Sequence, residues 1–498
     1  MLLVKCLYFA TLVCLSLADY WLERKTLIED ESSQMLGSDV VLNAREQVVN
    51  NYLMGIKLAE YDAGISEPAK FLPSRLFFDV RASVEKSKVF EFIRAIPKGG
   101  LLHGHETAML SFERLYNMTY EKGLYACIVD GRLKLTFSHS QTRNQSCDWK
   151  LLEDLRNSND TYDQLLRSQL TLHLADGGYN DINAVWSAFQ NIFGTITPMI
   201  MYRPFLVKYV YEALKELYED KVNYVEIRGV LSTVYEINGK EYSEIETAGI
   251  YRFAVEEFKR DHPDFIGAKF IYAPMRMATT EEVKKYVNTV NELKRTYPDF
   301  IVGFDLVGQE DLGQPLSNFV NELGNVSSGI DLVFHAGETN WYGASSDLNL
   351  FDAVLLGTKR IGHGFGAIKH PLVTKLIKDR NIAVEICPIS NQVLMLVADM
   401  RNHPAGSLMA RGVPVVVGND DPTFWGTKGL SYDFYMMFMG IASRNADLRL
   451  LKKLAENSLT YSLLPEEEKA IALEKWNAAW NQFIDSTYAN VVRNVMYF

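Results

Sequence analysis

The chain has 498 residues, 48% hydrophobic and 23% charged, with a formal net charge of -11. That length and balance suit a globular protein with room for one large barrel domain plus extra parts. The acidic excess argues against a nucleic-acid backbone or an anionic membrane as partner.

Residues 1–18 read as a secretory signal. Lys5 supplies a positive start, Leu7 to Leu17 is apolar, and Ser16-Leu17-Ala18 places small residues at the cleavage positions. The apolar run is short for a membrane span, and no later one is long enough. The mature chain is expected to begin near Asp19 and to be extracellular. Of the cysteines that remain, Cys127 and Cys147 flank a short polar segment and can close a loop in an oxidising compartment. Cys387 lies in the apolar run after Ile382 and reads as a buried free thiol. Sequons at Asn117, Asn144, Asn159 and Asn325 suit an extracellular surface.

Thr26 to about Tyr61 reads as helical, with apolar residues at Val40, Val41, Ala44, Val48, Tyr52 and Ile56. Pro68 and Pro73 break the pattern. Residues 19–96 therefore form an N-terminal helical arm outside any barrel, which either packs on a second subunit or covers the barrel's own surface. Gly99 to Glu106 is the first strong strand. A polar stretch over residues 117–178 reads as an insertion after it, a small subdomain that the cysteine pair can close. Helical pattern resumes at Ile182, passes Trp186 and Phe189, and returns from Phe205 to Leu217.

An alternation then sets in. Strands are expected at Val222–Val230, Phe265–Met275, Phe300–Gly308, Leu332–Glu338, Arg360–Phe365, Ile382–Pro388 and Val413–Asp420. Helical runs lie between them, among them one that includes Leu394 and Leu396. With the first strand this makes about eight β-then-α units, the number a (β/α)8 TIM barrel needs, over residues 97–498. The strands are continuous apolar runs, as expected of parallel strands covered on both faces. No Gly-rich phosphate fingerprint follows the first strand, which disfavours an open doubly wound sheet.

Barrel enzymes place their chemistry at the C-terminal ends of strands. Those ends carry His103-Gly104-His105, Asp305 to Gly308, His335-Ala336-Gly337-Glu338, Gly362-His363-Gly364 and Asn419-Asp420-Asp421-Pro422. Two histidines one residue apart on a strand share a face. Imidazoles and carboxylates gathered on one rim have no packing rationale, because buried charges need partners. The remaining histidines, at 139, 173, 262, 370 and 403, lie off the strands and read as surface or structural.

The motifs H-x-H, H-A-G-E, G-H-G and D-D-P, in this order, resemble those of the adenosine deaminase family. The signal, the helical arm and the cysteine-closed insertion look like its secreted branch, the adenosine deaminase-related growth factors. The resemblance implies one Zn²⁺ per subunit on His103, His105, His335 and Asp420, with zinc-bound hydroxide attacking C6 of the purine. It implies that His363 orients or deprotonates the water, and that Glu338 is protonated and gives its proton to N1. Asp421 would bond N7 and the Gly308 N–H would reach N3. The bland alternatives are a helix cap for Asp421 and a plain turn for Gly308. Glu106 stands where much of the family has Asp, a partner for a ribose hydroxyl. Trp186 looks like the residue closing over the nucleoside, or else is an ordinary core Trp. Met275 stands where some secreted members carry His. The implied substrates are adenosine and 2′-deoxyadenosine, and the implied assembly is a homodimer through the arm. The insertion is implied to bind a cell-surface receptor or glycan.

Two rivals remain in view. A two-metal amidohydrolase is disfavoured, because no Lys ends the fourth strand. A secreted signalling protein with a silent barrel is the non-enzymatic alternative. Zinc deaminases acting on nucleic acid use H-x-E with P-C-x-x-C, which is absent here.

Overall fold

The computed structural model describes residues 19–137, 147–159, 161–174 and 178–496. The proposed signal and the Asn144 sequon lie outside these residues. In chain order the strands are β1 Gly99–His105, β2 Tyr125–Val129, β3 Arg132–Thr136, β4 Lys150–Leu151, β5 Val222–Gly229, β6 Val234–Tyr235, β7 Glu241–Tyr242, β8 Gly267–Tyr272, β9 Ile301–Phe304, β10 Asp331–Leu332, β11 His335–Ala336, β12 Arg360–His363, β13 Ala383–Ile386 and β14 Val415–Val417.

Parallel pairing runs β1-β5-β8-β9-β10 in one sheet and β11-β12-β13-β14 in the other. Each expected barrel strand is present. The fifth is broken at Val333-Phe334, so β10 belongs to one sheet and β11 to the other. Backbone bonds carry the ladder across the break: Val333 N–H donates to Phe304 at 3.1 Å, and Gly362 N–H donates to Phe334 at 2.8 Å. The circle closes where Gly104 bridges Asp420. His105 N–H donates to the Asp420 carbonyl at 3.2 Å, and Asp420 N–H to the His103 carbonyl at 3.1 Å. Closure leaves the barrel no sheet edge and brings the first and last strands' polar ends together.

The bottom of the barrel is sealed by helix Leu448–Thr460. Gly99 sits there at φ +77°, where an added Cβ would lie 2.4 Å from the Ser458 hydroxyl, so only glycine allows this approach.

Residues 19–34 form a helix whose side chains are largely exposed, and Ala44–Ser66 forms a second. The second helix starts later than its apolar residues suggest, because Asn43 caps it in a capping box with Glu46. Val41 is outside it and 87% exposed. Its buried face is Glu46, Val49, Asn50, Leu53 and Lys57, one residue displaced from the expected Val48, Tyr52 and Ile56 stripe. The polar members find partners on the C-terminal helices and on the loop that precedes them. Glu46 accepts from Trp480 Nε1 at 2.8 Å and pairs with Lys452 at 2.7 Å. Asn50 bonds Leu448 N–H at 2.9 Å, and Lys57 donates to the Ser443 and Ala446 carbonyls. This helix therefore covers its own chain.

Within the insertion, β2 pairs antiparallel with both β3 and β4, and Cys127–Cys147 is a disulfide. Leu133 and Leu135 are buried. Thr195, on helix Ile182–Ile200, donates to the Leu133 carbonyl at 2.8 Å and ties the insertion to the barrel's top. After β13 the helix is Pro388–Val393. Leu394 and Leu396 lie beyond it, because Met395 takes φ +67° and turns the chain. No helix of the described residues is long and apolar enough to cross a membrane.

Candidate active site

His103 and His105 leave the end of β1, His335 begins β11, and Asp420 follows β14. Their ligand-type atoms lie within 4.8 Å of one another. His103 Nε2 is 3.3 Å and His105 Nε2 3.0 Å from Asp420 Oδ1. His103 donates its Nδ1–H to Glu385 at 2.6 Å, and His335 its Nδ1–H to Asp305 at 2.6 Å. In the neutral rings those bonds leave each Nε2 as a lone pair. His103 Nε2 is buried with no hydrogen-bond partner. A bound cation would satisfy that buried nitrogen together with the Asp420 carboxylate and the two other imidazoles, so the cluster fits one. Three imidazoles and one carboxylate are a donor set suited to zinc. Asp420 and His363 adopt left-handed backbones, at φ +57° and +59°, strain that tertiary contacts must hold.

A buried ion network underlies the cluster. Arg228 bonds Asp305 at 3.0 Å and Glu385 at 2.6 Å; Arg360 bonds Glu385 at 2.6 Å and Glu226 at 2.5 Å. Despite burial, Arg228 and Arg360 hold the Glu385 carboxyl well below the usual carboxylate range. It thus stays an acceptor for His103. Glu385 and this network are functional residues that motif reading missed. The available signal was a lone Glu inside the apolar run Ile382 to Ile386. Ser390 is another: its hydroxyl donates to Asp420 Oδ2 at 2.7 Å. Cys387 is the buried free thiol expected. Burial, with the Asp420 carboxylate next, keeps it protonated, so it offers no thiolate.

Above the cluster lies a cavity of about 380 Å³ that Glu338, Asp421, Gly308, Trp186 and Glu106 all line. Burial raises the Glu338 carboxyl well above its ordinary pKa, and the Asp420 and Glu310 carboxylates add to the effect. Its Oε1 is buried with no hydrogen-bond partner and lies 3.6 Å from His363 Nε2. Glu310, also missed in the sequence, positions this loop by accepting Gly337 N–H at 2.9 Å and Glu338 N–H at 2.6 Å. Asp421 precedes helix Pro422–Trp425 but makes no side-chain cap bond. Its carboxyl is also raised, by burial and then by Asp420, and Oδ1 is unpartnered. Gly308 takes φ +103°, where a Cβ would lie 2.9 Å from Met275 Cε. Trp186, on helix Ile182–Ile200, packs edge-on against Phe189 at 5.2 Å. Glu106 differs from the expectation. Its Oε1 accepts Val230 N–H at 2.9 Å and Leu231 N–H at 3.2 Å, so half of the carboxyl is committed to the backbone.

A closed (β/α)8 barrel carrying such a cation-fitting cluster at its C-terminal rim is the architecture of the amidohydrolase-type barrel enzymes. The family model for adenosine deaminase matches residues 177–478, and that for the adenosine/AMP deaminase N-terminal region matches residues 3–93. An adenosine deaminase of Lutzomyia longipalpis is 44% identical over 501 residues, covering 97% of this chain and 98% of that protein. Adenosine deaminase 2 of Homo sapiens is 41% identical over 473 residues, covering 93% and 92%. Among solved structures, the N6-methyl-AMP deaminase of Arabidopsis thaliana superposes with TM-score 0.56 at 17% identity, covering 79% of this chain and 99% of that one. A Zn-bound amidohydrolase of Burkholderia ambifaria gives 0.56 at 18%, covering 81% and 95%. The chain belongs to the adenosine deaminase family, and within it to the type-2 branch.

Proposed function

We propose that this protein is a secreted, zinc-dependent adenosine deaminase that hydrolyses adenosine and 2′-deoxyadenosine, releasing ammonia. The observation that carries the reading is Glu338, a carboxyl with an unpartnered oxygen, buried beside the cation-fitting cluster where burial favours its protonated form. Hydrolytic deamination needs N1 of the purine protonated so that C6 becomes electrophilic, and a neutral buried carboxylic acid is the group for that task.

His103, His105, His335 and Asp420 would hold the zinc, which when bound supplies a Lewis acid able to bring a water's pKa toward neutrality. The chain's own groups do the rest. Glu338 gives its proton to N1 as water adds at C6. His363 aligns that water, and Asp420 Oδ2 is kept in place by Ser390. Asp421, kept protonated, donates to N7, which has only a lone pair to offer. The Gly308 backbone donates to N3, and its missing side chain lets the base lie close. Trp186 and its aromatic neighbours cover the nucleoside and keep bulk water out. Loss of ammonia from C6 leaves inosine or its 2′-deoxy counterpart. Glu106, held to the Val230 and Leu231 backbone, reaches the ribose through its second oxygen.

Secretion is supported by the N-terminal pattern, the Cys127–Cys147 disulfide, and the exposure of Asn117, Asn159 and Asn325. A homodimer through residues 19–34 would cover the exposed Trp21, Leu22 and Leu27. Growth stimulation would follow from removal of extracellular adenosine. The test is ammonia release from adenosine, 2′-deoxyadenosine and AMP. Turnover of the two nucleosides but not AMP supports the reading, and turnover of none overturns it. Full stimulation of cells by a Glu338→Gln protein would separate signalling from deamination and favour the silent-barrel alternative.

A further inference from the structure

His363 presents one ring nitrogen to the reacting centre and keeps the other behind it. The hidden nitrogen, Nδ1, lies 3.0 Å from Asn391 Nδ2. Asn391 is fully buried on helix Pro388–Val393, and its Oδ1 lies 3.0 Å from His403 Nε2. His403 is itself buried, and its Nδ1 accepts the Ala405 backbone N–H at 3.1 Å. The chain His363–Asn391–His403–Ala405 therefore links the site to a backbone amide well outside it.

That last contact sets the polarity of the whole chain. A backbone N–H can only donate, so His403 Nδ1 must be a lone pair. Burial lowers the His403 pKa to about 3, so the ring is neutral and its one proton sits on Nε2. Nε2–H must then donate to Asn391, which makes the facing atom the amide oxygen. The amide NH₂ is thereby turned toward His363 and donates to its Nδ1. A neutral His363 with Nδ1 occupied as an acceptor carries its proton on Nε2, the nitrogen that faces Glu338 and Asp420. The opposite tautomer would set two donors against each other between His363 and Asn391. Relieving that by turning the amide would move the clash to His403.

We propose that Asn391 and His403 are positioning residues that fix His363 as the Nε2–H tautomer, so that it meets the attacking water as a hydrogen-bond donor and not as a base. This rests on the reading of His363 at the reacting centre. It resolves whether His363 orients the water or deprotonates it, in favour of orientation.

Two pairs of variants test it. Asn391→Asp keeps shape and both contacts but replaces the donor with an acceptor, which draws the proton to Nδ1. We expect kcat to fall about 10–100-fold, the usual loss when an outer-shell partner is removed, with KM unchanged. His403→Gln keeps a donor at the Nε2 position, whereas His403→Asn keeps only the acceptor for Ala405. The relay predicts that Gln retains about 10-fold more kcat than Asn. A merely structural role, capping helix Ala405–Ala410, predicts the reverse order. Independently of activity, ¹⁵N-histidine-labelled protein reads the tautomer directly, with His363 assigned by its loss in H363Q. A protonated Nε2 in the wild type that moves to Nδ1 in Asn391→Asp supports the relay. A proton already on Nδ1 in the wild type, wild-type kcat in Asn391→Asp, or Asn outperforming Gln at 403 overturns it. Should the wild type deaminate nothing, the proposed function fails while the ¹⁵N spectrum still decides the relay.

Discussion

Replacing Glu385 with Gln isolates the buried support of the metal cluster from the cluster itself. The carboxylate accepts His103 Nδ1–H, Arg228 and Arg360, each at 2.6 Å. Glutamine has one acceptor oxygen. Turned toward His103 and Arg228, it sets its NH₂ against Arg360; turned the other way, it loses the other two. At least one charge-assisted bond disappears, roughly 1.5–3 kcal/mol. Arg228 and Arg360, both fully buried, also lose a shared counter-charge, and breaking such a buried pair costs about 3–5 kcal/mol. Arg360 keeps Glu226 and Arg228 keeps Asp305, so the lower end, about 3 kcal/mol, is expected. His103 would meanwhile hold its tautomer against a neutral amide, and metal affinity should fall about 10–100-fold. Urea unfolding reports the first quantity as a lower midpoint at unchanged slope. Competition with a chelator of known affinity reports the second. A Glu385→Gln protein with the wild-type midpoint and wild-type metal affinity would refute the assignment of Glu385 as the group that holds His103.

Glu338→Gln should abolish deamination while leaving metal content intact. It should also flatten the stability profile. A carboxyl whose folded pKa is raised keeps its proton while the unfolded chain loses it, so wild-type stability falls as pH rises from the ordinary value of 4.5 toward the raised one. Glutamine removes that slope, which paired unfolding series across this window would show. Gly308→Ala must place a side chain at φ +103° beside Met275; it should lose about 1 kcal/mol or more and raise KM more than it lowers kcat. Replacing Cys127 and Cys147 together with Ser opens a loop of sequence separation 20, a loss of about 3 kcal/mol to the insertion. Turnover should persist, because the cluster stands on barrel strands, and a lower urea midpoint would report the loss.

The barrel was legible because parallel strands buried on both faces read as apolar runs, and because closure puts their polar ends on one rim. Each motif histidine and carboxylate stands at such an end. What stayed hidden depends on contacts distant in sequence. Arg228 meets Glu385 across 157 positions, and neither residue reveals its partner. The arm's inner face was misread by one residue because Glu46, Asn50 and Lys57 count as polar, yet are buried against C-terminal partners. Glu106 sits beside the H-x-H pair, where the family resemblance implies a place against the sugar. Only the fold shows the Val230 and Leu231 amides that claim one of its oxygens. The break in the fifth strand likewise has no local mark, since Val333 and Phe334 are as apolar as strand residues.

The most direct test of the account is the ultraviolet spectrum of adenosine incubated with the purified full-length protein, with and without a zinc chelator. The account predicts that the adenosine spectrum gives way to that of inosine, that chelation stops the change, and that added zinc restores it. An unchanged spectrum from protein shown to hold its zinc would contradict it.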